Sequence, residues 1–333
     1  MIRRWTVLLL LAVLAALALA GLPFVGMERI PLAALWRQGK EVDVTILWKL
    51  RLPRVIMAFL AGSGLAAGGL AFQAVFRNPL AEPFTLGVAS GAALGAAVYI
   101  HLKLPFSLLW ISGVSWFAFA GALLAVVLVY GMTRARQGFS TATMLLAGVA
   151  VSFCFSSLIL FMQYLSDFTQ SFLLLRWVMG GLDRVVGFGE VLTVLALVGM
   201  GTAIVLYLTH ELNLVTTGEE LAISRGVAVN RTKALLFVAV SLMVGGIVSV
   251  CGPIGFVGLI VPHICRLMVG PDHRFLTPAA LLCGAILLSL CDTLARTLMA
   301  PTELPVGILT ALLGGPFFLW LLVRRAPSDD AVV

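Results

Sequence analysis

Ten apolar windows, at about 5–25, 54–76, 84–102, 106–130, 142–165, 190–209, 233–251, 256–269, 278–299 and 304–323, fill most of this chain. A continuous apolar run of about 20 residues spans the hydrocarbon core as a helix. No water reaches that core, so every backbone N–H and C=O must find its partner within the protein. The windows therefore predict an all-α polytopic membrane protein of about ten transmembrane helices, forming a single domain over 1–333. Composition agrees: 61% of residues are hydrophobic and 11% charged, where a soluble domain carries roughly a quarter charged. The net charge of +7 is no nucleic-acid footprint, because most Arg and Lys end apolar runs and anchor topology there.

Arg3/Arg4 and Arg324/Arg325 flank the two ends, which predicts an even number of spans with both termini cytoplasmic. Ala18-Leu19-Ala20 before Gly21 resembles a signal-peptidase site, yet the run from Trp5 to Val25 is long enough to span. It is expected to remain as the first span. Inside segments then fall at 77–83, 131–141, 210–232 and 270–277, and outside ones at 26–53, 103–105, 166–189, 252–255 and 300–303. The segment 166–189, with Arg176, Trp177, Asp183 and Arg184, suits a short interfacial helix. The tail over about 326–333, APSDDAVV, reads as disordered.

Several features point to transport. The stretch Gly252 to Arg274, GPIGFVGLIVPHICRLMVGPDHR, puts Gly, Pro, His and Arg at bilayer depth, where only surrounding protein or a water-filled path tolerates them. Gly64/Gly68 and Gly87/Gly91/Gly95 have the small-residue spacing that lets helix backbones approach closely. Gly148, Ser152, Ser156 and Gln163 form a neutral polar stripe on one helix face, suited to a large or shielded solute if it faces a pathway. Back-bonding of the serines to their own helix is the alternative reading. Ionisable residues inside spans are few: His263 with Arg266, and Asp292 with Arg296, the latter spaced for an intrahelical pair. No chain of carboxylates crosses the bilayer, which disfavours proton-coupled secondary transport.

The inside segment 210–232 is too long for a hairpin connection. Thr216-Thr217-Gly218-Glu219-Glu220 offers capping and first-turn acidic residues, and Gly226 a C-terminal stop, for a short helix that another protein could grip. No GxxxxGK[ST], HExxH or GxSxG is present, so no nucleotide-phosphate loop and no common hydrolase signature is expected. Cys154, Cys251, Cys265, Cys283 and Cys291 lie in or beside apolar segments without metal-ligand spacing and read as packing residues.

From Arg51 to Arg325 the chain resembles the permease subunits of type II ABC importers, the FecCD-like group that takes up ferric siderophores, haem and cobalamin. The resemblance rests on Arg51-Leu52-Pro53-Arg54, Gln73, Arg77-Asn78-Pro79-Leu80-Ala81-Glu82-Pro83 and Leu86-Gly87-Val88. It continues through Gly255-Phe256-Val257-Gly258-Leu259-Ile260-Val261-Pro262-His263, Asp272-His273-Arg274, Glu303-Leu304-Pro305-Val306-Gly307 and Gly315-Pro316-Phe317-Phe318-Leu319-Trp320. It implies a homodimer or paired subunits in a bacterial cytoplasmic membrane, with the path at the subunit interface lined by spans five and ten. Ser152, Ser156 and Gln163 would face that path. Gly218, Glu219, Glu220, Ala222, Arg225, Gly226 and Val227 match the segment that couples to a separate ATPase dimer, although the family usually has Leu where this chain has Arg225. Arg51, Arg54 and Arg296 match arginines that dock a periplasmic or lipid-anchored substrate-binding protein. The chain itself would be non-catalytic and without cofactor or metal, ATP and Mg being bound by the ATPase, and nucleic acid is not an implied partner. A ferric siderophore is the first substrate implied, then cobalamin and haem. Two rival readings are an ion-coupled secondary transporter and an intramembrane enzyme built on His263, Asp272 and His273.

Overall fold

The computed structural model describes residues 2–104, 106–108, 111–135 and 141–324. The tail at 326–333 and Arg325 lie outside them. In order, the elements are α1 (Ile2–Gly21), α2 (Glu41–Thr45), α3 (Leu52–Val75), α4 (Val88–Leu102), a hairpin of β1 (Ser107–Leu108) and β2 (Ile111–Ser112), and α5 (Gly113–Ala135). There follow α6 (Thr141–Leu165), α7 (Phe168–Val178), α8 (Gly189–Tyr207), α9 (Thr209–Thr217), α10 (Glu219–Ser224) and α11 (Val229–Cys251). The last three are α12 (Val257–Val269), α13 (His273–Thr297) and α14 (Val306–Arg324). Among the described residues seven helices are long and apolar enough to cross a membrane, and three shorter apolar helices, α4, α12 and Val306–Trp320, account for the other three windows.

The bundle is built around α3 and α11, which are buried on nearly every side. Lipid tails are as apolar as leucine, so close van der Waals packing, not a hydrophobic drive, favours a helix neighbour over lipid. Small residues supply it. A methyl group at Gly62 would overlap the Gly284 carbonyl of α13, and one at Gly69 the Gly258 carbonyl of α12. Gly64 and Gly68 face Ile247, Val240 and Val244 of α11. On α4, Gly91 and Gly95 lie against the carbonyls of Gly121 and Phe117 of α5. Gly87 serves differently: at φ +82° it turns the chain into α4, a conformation that favours glycine. Outside this centre α1 rests on α13, with Trp5 edge-on to Phe275 at 5.4 Å.

Window edges shift where local chemistry interrupts a helix. The segment 26–53, expected as a loop, holds a 3-10 turn at Leu32–Trp36, then α2 and a π-helical stretch, Ile46–Arg51, that runs straight into α3. Pro53 cannot donate to a preceding turn and its ring crowds the carbonyl four residues back. A wider π turn before it is one way to accommodate that. The first part of the 106–130 window is the β hairpin, not helix.

The segment 252–255, expected as an outside connection, packs against the turn after α7 and the start of α14. Gly252 (φ +69°) lies on Trp177 and Gly180, and Gly307 of α14 approaches Pro253. By Gly258 the chain has reached Leu65 and Gly69, deep along α3. The break is thus a descending non-helical strand surrounded by protein, with α12 completing the crossing. The backbone around it is tied together: the Gly181 N–H donates to the carbonyl of Cys251, the last residue of α11, at 2.8 Å, and the Gly307 N–H of α14 to the Gly180 carbonyl at 3.1 Å.

Candidate functional site

At the end of the bundle where α3 starts and α13 finishes, Arg51, Arg54 and Arg296 share one cavity of about 260 Å³ with Glu28, Asp183 and Glu303. Each arginine is less than a tenth exposed, at 8%, 9% and 7%. Arg51 donates to the Glu28 carbonyl at 2.8 Å and, more weakly, to the Pro23 carbonyl at 3.4 Å. Arg54 Nε reaches both Asp292 oxygens at 3.0 and 3.1 Å, and its Nη1 donates to Glu303 Oε2 at 2.7 Å. Arg296 Nε lies 3.3 Å from Asp292 Oδ2 without hydrogen-bond alignment, while its Nη2 donates to Thr293 Oγ1 at 3.2 Å.

The i, i+4 pair read from the sequence therefore exists, but Asp292 is shared between two guanidiniums from different helices. Spacing along α13 reveals Arg296 as a partner; nothing local reveals Arg54, which is 238 residues away. In the sequence Glu303 is one residue of the Glu303–Gly307 motif. Its role as a second counter-charge for Arg54 is tertiary.

At the opposite end, the segment 210–232 is two helices packed at an angle. α9 continues almost directly from α8, and α10 begins after Gly218, whose φ of +139° breaks the helix. The threonines do not cap α10. Thr216 and Thr217 hydroxyls donate back to the Asn213 and Leu214 carbonyls at 2.8 and 2.7 Å, and Gly218 takes the N-cap position. The expected stop is present: Gly226 (φ +84°) and Val227 return their N–H groups to Ile223 and Ala222.

The seven residues singled out here are not equivalent. Ala222 is buried with Val215 and Val229 in a small apolar cluster. Glu219 accepts from Lys233 Nζ at 2.6 Å, and Lys233 is only 1% exposed. Glu220, Arg225 and Gly226 are exposed, Gly218 and Val227 partly so. Leu221 and Ile223 are exposed apolar neighbours on the same short helix. They carry no motif and were not anticipated. α9 is tied to α13 by Asn213, whose amide donates to Asp272 Oδ1 and whose Oδ1 accepts from the His273 N–H, both at 2.9 Å. Burial pushes the Asp272 carboxyl up, but the Arg274 N–H and the Asn213 amide prevail and hold it below the usual carboxylate range. Asp272 and His273 thus join a structural clamp, while His263 lies apart, edge-on to Phe317 at 5.8 Å.

The polar stripe on α6 is unevenly covered. Gly148 packs on Thr85 and Leu86, Ser152 and Gln163 are half-buried, and Ser156 is open, among exposed Phe153, Leu160, Phe161 and Tyr164. Arg266 of α12 donates to Gln73 Oε1, and Gln73 Nε2 in turn satisfies the Gly258 carbonyl at 3.2 Å.

The model of the FecCD transport family matches residues 4–324. The hemin transport system permease protein HmuU of Yersinia pestis is 39% identical over 322 residues, 96% of this chain and 94% of that protein. The cobalamin import system permease protein BtuC of Halobacterium salinarum is 41% identical over 305 residues, 92% of this chain and 80% of its own length. A solved structure described as an inward-facing conformation of a metal-chelate type ABC transporter superposes with a TM-score of 0.84 at 31% identity, covering 96% of this chain and 99% of that one. With a family match along almost the whole length and near-full-length relatives around two-fifths identical, this chain belongs to the FecCD transport family.

Proposed function

We propose that this chain is the non-catalytic permease subunit of an ATP-driven importer that carries a metal chelate across the bacterial cytoplasmic membrane. The observation that carries the reading is the α9–α10 pair, braced by Lys233–Glu219 on one side and by Asn213–Asp272–His273 on the other. A braced helix pair transmits force into α11 and α13, whereas a floppy loop does not. Glu220, Leu221, Ile223 and Arg225 are its outward contacts with a separate ATPase dimer that binds ATP and Mg. Arg225 supplies a cation where the family usually has Leu, so an acidic residue is expected opposite it on that ATPase.

The arginine pairs near the two ends of the sequence assign both termini to the cytoplasm, with α9 and α10. At the other end a substrate-binding protein docks over Arg51, Arg54 and Arg296, presenting carboxylates to guanidinium edges that open into the shared cavity. The family resemblance pairs the chain with a second permease subunit through α6 and α14, which would place Ser152, Ser156 and Gln163, on a half-buried to exposed face of α6, along a path between the subunits. The cargo class follows the relatives, which are named for hemin and for cobalamin; a ferric siderophore shares their size and shielded metal.

Reconstitution of the chain with its ATPase and binding protein in liposomes tests the whole reading. Uptake of hemin, cobalamin or a ferric siderophore should require ATP and both partners. Uptake by the isolated chain, driven by a proton or sodium gradient, would establish the secondary-transporter alternative instead.

A further inference from the structure

At the arginine-bearing end, between α4, α5, α7 and α8, lies a cavity of about 660 Å³ that the transport reading does not use. Its mouth holds Lys103, Asp167 and Thr169, and its walls are largely apolar, with Leu104, Val114, Leu173 and Trp177 among them. That volume falls within the range of small-molecule sites. Two side chains of opposite charge, Arg184 and Glu190, also line it.

Neither charge is fully satisfied. Glu190 is buried against the Ser112 backbone N–H, and its Oε2 has no hydrogen-bond partner among the described residues. Arg184 donates from Nη2 to the Arg176 carbonyl at 3.0 Å and stands over the Trp177 ring at 5.9 Å, but its Nη1 is buried and equally without a partner. Folded proteins rarely leave charged atoms in this condition, because each one forgoes its hydration without replacement. A cation and an anion that line one apolar chamber, each within the other's field but not hydrogen-bonded to it, complement a molecule that carries both charges and an apolar body.

We infer that this cavity binds a zwitterionic amphiphile, its ammonium against Glu190, its anionic group against Arg184, and its apolar portion along Trp177, Leu173 and Val114. The same chemistry is available from an aminophospholipid of the surrounding bilayer or from a free zwitterion in solution. The position suits either, since Trp and Arg settle at the interface between water and hydrocarbon.

The test is native mass spectrometry of the delipidated full chain in detergent, titrated with phosphatidylethanolamine, with phosphatidylglycerol and with glycerophosphoethanolamine. One equivalent of phosphatidylethanolamine should bind, with phosphatidylglycerol, which lacks the ammonium, at least tenfold weaker. Glu190→Gln and Arg184→Gln should each weaken retention tenfold or more. Thr169→Trp, at an exposed mouth residue, fills the entrance without touching the charged pair, so loss of binding there supports the site even if the buried variants fold poorly. Equal competition by glycerophosphoethanolamine would identify a free zwitterion as ligand, and competition only by the lipid a bilayer source; both uphold the site. Phosphatidylglycerol binding as tightly as phosphatidylethanolamine, or unchanged retention in Thr169→Trp, overturns it.

Discussion

Replacing Asp292 by Ala removes the carboxylate that Arg54 and Arg296 share. Arg54 then retains Glu303, whose side chain is 42% exposed, and Arg296 retains a single neutral hydroxyl, Thr293 Oγ1. Removing one partner from a buried ion pair costs about 3–5 kcal/mol, because the surviving charge stays desolvated. Asp292 is 1% exposed and serves two arginines, which places this variant at the upper end, about 5 kcal/mol. Glu303→Ala is the internal control. It deletes a contact of 2.7 Å to the same Arg54 but on the wet side, where an ion pair is worth about 0–1 kcal/mol. Unfolding free energies of the purified chain, from SDS titration in mixed micelles, should therefore separate the two variants by about 4 kcal/mol, the difference of those two costs. Adding Arg296→Met to Asp292→Ala should recover part of the loss, since one orphaned charge is gone. Equal costs for Asp292→Ala and Glu303→Ala would refute the idea that one buried carboxylate organises this end of the bundle.

Lys233→Met should leave the bundle folded but reduce ATPase-stimulated uptake and ATPase co-purification several-fold, because Glu219 loses its buried anchor; unchanged co-purification would remove the brace from the mechanism. Gly69→Val should prevent stable assembly, its side chain colliding with the Gly258 backbone, while Gly199→Ala, with open space around it, should be neutral by thermal unfolding in detergent. Glu82 responds to pH: burial pushes its carboxyl from the ordinary 4.5 to about 7 against the pull of the Phe256 N–H. Between those values the folded state holds a proton the unfolded state has released, so stability falls as pH rises through the interval. Glu82→Gln should flatten that slope and exceed the parent by up to about 3 kcal/mol at pH 8, each pKa unit being worth about 1.36 kcal/mol; parallel pH curves for the two proteins would contradict this.

Arg296 and the 210–232 segment stand out in the sequence because each is a chemical anomaly in an apolar chain, a charge inside a span or a polar stretch between spans, whereas Arg51 and Arg54 stand out only through the family resemblance. Lys233, Asn213, Leu221 and Ile223 do not stand out. Lys233 reads as an ordinary flanking cation until Glu219 folds back onto it, and Asn213 matters only because Asp272 and His273, 59 and 60 residues later, arrive beside it. Gly62 and Gly284 escaped notice for the same reason. A small-residue spacing within one helix marks a surface fit for close approach, but the neighbouring helix that fills it is set elsewhere in the chain.

By itself the sequence determined that ten apolar stretches must become helices, since hydrocarbon offers no partner to an unpaired peptide group. It also determined, through the glycine spacings, that some helices touch backbone to backbone. Tertiary structure alone decided that Gly252 and Pro253 meet Trp177, Gly180 and Gly307, that one aspartate holds two arginines, and that α9 and α10 are braced from two sides. Those outcomes depend on which groups meet after folding, and proximity between residues hundreds of positions apart leaves no local pattern to read.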